Sequence, residues 1–246
     1  MKNLHIVVAS VGLALAPFST AAAQDAAPPV AATAQQVSPH MDLVLAIQEG
    51  VDVDVTIENQ LVVVRSMWNK DPNMVAAEAT YPGLFDAMIA AARPVIMRQN
   101  LEVQKEFQPK FAAALAEKLS DPEARTIAKF YRSPIGRKLM ASMAANMDSR
   151  ASIEGFVAKG EVDMGDFQSD VDSSTAKTLS GLSRSDIEEL GRLYMEEPAL
   201  MKLTTLQPAM VPVRAEMEKA GATPERQQEI YSVIEAAAQQ HIAQAQ

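Results

Sequence analysis

Two stretches decide the fold: LSDPEARTIAKFYRSPIGRKLM at residues 119–140 and LSRSDIEELGRLYMEEPALMKL at residues 182–203. Each opens Leu-Ser, runs ten residues to a tyrosine (Tyr131, Tyr194), and goes on to a proline (Pro134, Pro198) and a Lys-Leu pair (Lys138 and Leu139, Lys202 and Leu203), with one extra residue before the second proline. Between serine and tyrosine, Glu123, Ile127, Lys129 and Phe130 correspond to Asp186, Leu190, Arg192 and Leu193. Shared order, spacing and chemistry point to one helical unit present twice.

The physics of the unit is local. Ser120 with Glu123 forms a Ser-x-x-Glu capping box, which satisfies backbone N–H groups that lack an intrahelical partner; Ser183 with Asp186, or Ser185 with Glu188, serves in the second copy. Apolar stripes follow at helical spacing: Ala124, Ile127, Ala128 and Tyr131, then Ile187, Leu190, Gly191 and Tyr194. The proline after each tyrosine stops one helix and starts the next, since a first turn has no use for its missing N–H and Ser133 can cap it. The expected fold is therefore all-α, a helical domain over residues 39–246 built from two related helix-joint-helix units at about 80–147 and 176–246.

Outward from these units the pattern stays helical. Met41, Leu43, Val44 and Ile47 form a stripe that Gly50 ends. Val51, Val53, Val55 and Ile57 alternate as a strand would, yet Ile57, Leu61, Val64 and Trp68 keep helical spacing and no second alternating segment exists to pair with, so helix is expected. Pro94 and Pro109 predict breaks or kinks in the Ala-rich span 82–119. Residues 148–175, with Gly155, Gly160 and Gly165, suggest a connector with short irregular helix. Thr223 and Pro224 open a last helix, striped by Ile230, Val233, Ile234, Ala237, His241 and Ile242.

Residues 1–23 have the layout of a secretory signal peptide: Lys2, an uncharged apolar run from Ile6 to Ala16 too short to span a bilayer, and a cut near Ala23. Residues 24–38, small, polar and proline-bearing, are expected to be a flexible leader. This places the mature protein in the periplasm or outside the cell. There is no cysteine, hence neither a lipobox thiol nor a disulfide. Beyond the signal no apolar stretch approaches the ~20 residues of a transmembrane segment. The formal charge is −9, and losing Lys2 makes it more negative, which weighs against nucleic acid and against anionic membrane surfaces as partners.

The cations gather at the first joint, where Lys129, Arg132, Arg137 and Lys138 surround a helix start at Ser133 and Pro134, with Tyr131 and Gly136 beside it. Exposed N–H groups and guanidinium charge favour anions. The plainer alternative is a turn whose Gly136 lets helices approach and whose charges face water, and Glu196 and Glu197 at the second joint argue against a shared anion role. Met140, Met143 and Met147 lie at helical spacing; they suit Cu(I), an adaptable core stripe, or a surface for partner helices, and the lack of a nearby Cys or His favours the core. His40 and His241 have no Gly-x-Ser-x-Gly turn or His-Glu-x-x-His spacing to support them. Asp52 with Asp54, and Glu161, Asp163 and Asp166, lack the ordered ligands of a calcium loop. No catalytic residue, cofactor or metal is assigned, and the joint residues are retained as the binding candidates.

The segment FYRSPIGRKLM at residues 130–140 resembles the signature of the bacterial family catalogued as domain of unknown function 2059, in which Phe-Tyr, a small residue, Pro, Gly and Lys-Leu recur. The close match covers roughly residues 80–147; the second copy departs from it, with Met195, Glu196 and Glu197 in place of Arg132 and Ser133. The resemblance implies an exported helical protein and carries no activity. By elimination the expected function is a non-enzymatic exported protein that binds another protein or an apolar small molecule between helices. The alternatives are a cell-envelope hydrolase whose site is assembled from distant residues and a helical adaptor that pairs with itself.

Overall fold

The structure, a computed structural model, describes residues 37–159 and 164–245, so the expected signal peptide and nearly all of the leader lie outside the described residues. No strand occurs among the described residues. In chain order the helices are α1 (Pro39–Glu49), α2 (Val53–Trp68), α3 (Pro72–Thr80), α4 (Leu84–Ala116), α5 (Asp121–Arg132), α6 (Pro134–Ala145), α7 (Arg150–Lys159), α8 (Met164–Gly181) and α9 (Arg184–Glu196). A 3₁₀ turn (Pro198–Lys202), α10 (Leu203–Gly221) and α11 (Pro224–Gln244) complete the chain.

Caps set most starts. Ser38 accepts from the Met41 N–H at 3.1 Å and Asp52 from the Val55 N–H at 3.2 Å. The alternation near Val51 is overridden because α2 buries Ile57, Leu61, Val64 and Trp68 on one face. Thr223 caps α11 with Pro224 in its first turn.

Two local expectations are corrected. Pro94 and Pro109 do not interrupt α4, which runs 33 residues through both. Both prolines, and the Ala90 and Lys105 whose carbonyls they leave without an N–H, lie on the exposed face, where water can take the lost bond while the opposite face stays packed. Residues 148–175 are regular helix on either side of residues 160–163, not an irregular connector. Asp170 of α8 accepts from the Ala151 and Ser152 N–H groups at 2.9 and 2.8 Å, capping α7 from outside.

Helix α4 is the spine. Its first half, with Leu84, Phe85, Met88 and Ile96, packs against Ile57, Val64 and Trp68 of α2 and Ile230 and Ile234 of α11. The rings of Trp68 and Phe85 meet at 5.3 Å, tilted by 53°. Its second half, with Val103, Phe107, Phe111 and Leu115, joins Leu43 and Val44 of α1, Ile127 of α5 and Leu206 and Met217 of α10 in the larger core. Between these halves α4 buries the amides Gln99, Asn100 and Gln104.

Candidate functional site

The joint between α5 and α6 is fixed by one residue on each side of its proline. Ser133 ends α5 and caps α6: its hydroxyl donates to the Phe130 carbonyl at 2.7 Å and accepts from the Gly136 N–H at 3.1 Å. The backbone closes so tightly that a Cβ on Gly136 would lie 2.0 Å from the Phe130 oxygen. Arg132 reaches back to α1, donating to both carboxylate oxygens of Asp42 at 2.9 and 2.8 Å and to Glu49 at 2.8 Å. The hydrogen bond from Arg132 holds the Asp42 carboxyl below its ordinary range. Lys129 and Arg137 are exposed, and Tyr131 points inward, where burial and the neighbouring Tyr194 raise its phenol pKa. The structure thus brings Arg132, Ser133, Pro134 and Gly136 together as a lock between α1, α5 and α6.

Lys138 lies apart from that lock and crosses to the second unit. Its ammonium donates to Asp186 at 2.8 and 2.6 Å, while Lys202 pairs with Glu123 at 2.7 Å. Asp186 and Glu123 are the carboxylates of the two capping boxes, and both boxes are formed. Each lysine therefore grips the capping carboxylate that corresponds to its own unit's, the exchange a two-fold arrangement produces. The partner lysine, then the capping serine, hold Glu123 and Asp186 each at about 2. The second joint differs where its sequence does: Glu197 makes no side-chain cap, and the turn after Pro198 is 3₁₀.

Beneath these ties lies a cavity of about 310 Å³. Leu43 and Val44 of α1, Phe111 and Leu115 of α4 and Ile127 of α5 form its floor. Tyr131, Met140 and Met143 close one side; Leu206, Met210 and Met217 of α10 close the other. Thr175 of α8 and Arg214 of α10 add polar groups to the wall. Sequence reasoning singled out Tyr131, Met140 and Met143 but missed the α10 wall. Its signal was present: Leu203, Leu206, Met210 and Met217 keep helical spacing, and Arg214 puts a charge on that stripe. Met147, grouped with Met140 and Met143 in sequence, falls beyond the end of α6.

The remaining candidates are engaged in the fold. His40 Nε2 is 2.8 Å from the Leu119 carbonyl, and His241 Nε2 is 3.1 Å from that of Pro82. Asp52 is the α2 cap, and Glu161 and Asp163 lie outside the described residues. Among the described residues no group of three or more His, Cys, Asp or Glu is placed to hold a metal ion, and no helix is long and apolar enough to cross a membrane.

Fold and site together define an all-helical protein with an apolar cavity beneath ion-paired helix joints. Residues 105–153, from the second half of α4 through the first joint into α7, match a family described as "Uncharacterized protein conserved in bacteria (DUF2059)", the family whose signature the joint resembles. No curated protein and no solved structure matches the chain.

Proposed function

We propose that this is an exported, non-enzymatic binding protein that holds an apolar small molecule in the cavity between α1, α4, α6 and α10. The cavity carries the reading: its volume of about 310 Å³ falls at the lower end of ligand pockets, and its walls are mostly aliphatic and thioether side chains. Methionine lining favours an adaptable site, since the unbranched thioether re-packs around different shapes at little cost. At ~30 Å³ per water-sized unit the space holds about ten methylenes. Burying that many brings on the order of 8 kcal/mol, so micromolar is the tightest affinity the chain of such a ligand supplies alone. The crossed Lys138–Asp186 and Lys202–Glu123 pairs support a duplicated unit as the frame around the cavity. Export rests on the layout of residues 1–23.

The test is titration with N-phenyl-1-naphthylamine, an uncharged fluorophore that brightens in apolar surroundings. Saturable binding is expected, and Met143→Trp, which fills the cavity, abolishes it. No saturable signal from the wild type, or an equal one from the variant, refutes the reading. Fractionation with intact-mass measurement checks export, with a periplasmic chain beginning at Gln24 expected and an unprocessed cytoplasmic one refuting it.

A further inference from the structure

The cavity has a polar end. Arg214 is the charged residue among those lining it, and it takes a place on the apolar stripe of α10 that a leucine or methionine would fill. Its side chain is 24 % exposed, so the guanidinium is largely withdrawn from water. A buried cation is tolerable when a counter-ion is close. The ion pair it makes, to Glu218 one turn on, spans 4.0 Å, against 2.6 to 2.8 Å for the pairs of Lys138, Lys202 and Arg132. Two carboxylates face this end, Glu218 of α10 and Asp170 of α8, which acts on it; burial raises both, which weakens their hold on the guanidinium. Thr175, exposed on α8, marks the same end as the rim, while Val44, Phe111 and Leu115 lie buried at the floor.

We infer that the occupant is a single-chain amphiphile whose carboxylate head sits at Arg214 and whose tail of about ten carbons lies among Met143, Met210 and Met217. This rests on the binding reading above and adds the class of ligand. A guanidinium offers a carboxylate two parallel donors, a closer and better aligned contact than the 4.0 Å pair with Glu218. The thioethers fit a flexible tail without demanding one conformation.

The experiment compares decanoate with decanol by isothermal titration at pH 8, using the full mature protein and its Arg214→Gln and Arg214→Lys variants, each first shown to retain the wild-type helical signal. The wild type is expected to bind decanoate at least tenfold more tightly than decanol. Arg214→Gln loses that preference with decanol affinity unchanged, and Arg214→Lys keeps part of it. If decanol binds as well as decanoate, or if Arg214→Gln keeps the preference, the head-group assignment is wrong while the cavity reading stands. If neither binds, both are wrong. Should Arg214→Gln not fold, the Arg214→Lys preference and the wild-type ratio decide the question by the same criteria.

Discussion

Replacing Gly136 and Gly191 by alanine should move stability in opposite directions, although both glycines sit inside helices. At Gly136 the added Cβ would lie 2.0 Å from the Phe130 oxygen and 2.8 Å from the Tyr131 Cα, both backbone atoms that no rotamer change can move. Relief requires opening the joint by about 1 Å, which strains or breaks the Ser133 bonds to Phe130 and Gly136 and loosens the packing of α5 on α6. Overpacking of ~1–3 kcal/mol together with ~1 kcal/mol per hydrogen bond puts the loss at about 3 kcal/mol or more. At Gly191, the stripe residue of the second unit, nothing lies within 4 Å of the added Cβ. There alanine removes backbone freedom from the unfolded chain and stabilises by about 0.5–1 kcal/mol. Urea unfolding followed by circular dichroism reads both as midpoint shifts at constant slope. A Gly136→Ala protein within about 0.5 kcal/mol of wild type would refute the joint geometry, as would a Gly191→Ala loss of comparable size to that expected at Gly136.

Gln60 is 1 % exposed, and neither atom of its amide has a hydrogen-bond partner among the described residues, so Gln60→Leu should stabilise the protein by about 1 kcal/mol in the same urea assay; a loss of similar size would show that the amide is satisfied in solution. Glu123 and Asp186 titrate at about 2, below their ordinary 4.5 and 3.8, so the stability they lend is present above those ordinary values and is lost as pH falls towards 2. Carbon-13 NMR titration should show Lys202→Met raising Glu123 alone and Lys138→Met raising Asp186 alone; if neither responds, the crossed pairs do not form in solution.

The helical class and the joint were legible in sequence because their causes are local. Ser120, Glu123, Ser133, Pro134 and the second Ser183 box act over three or four residues, and each forms where spacing predicts. Pro94 and Pro109 misled because their cost depends on which way the freed carbonyls point, a fact of tertiary packing. The polar run after Met147 misled for a related reason: the carboxylate that caps α7 comes from Asp170, some twenty residues downstream. At the joint, charge composition alone could not separate an anion site from a lock, because Asp42 and Glu49 lie more than eighty residues before Arg132. The cavity was least legible, since its walls come from α1, α4, α6 and α10, and only their packing makes Arg214 a wall residue.

Native mass spectrometry of the protein purified from the envelope of its own host tests the central claim most directly. The account predicts a reproducible added mass of a small amphiphile, absent from Met143→Trp and released on denaturation. The mass of the bare polypeptide alone, in gentle conditions and across preparations, would contradict it.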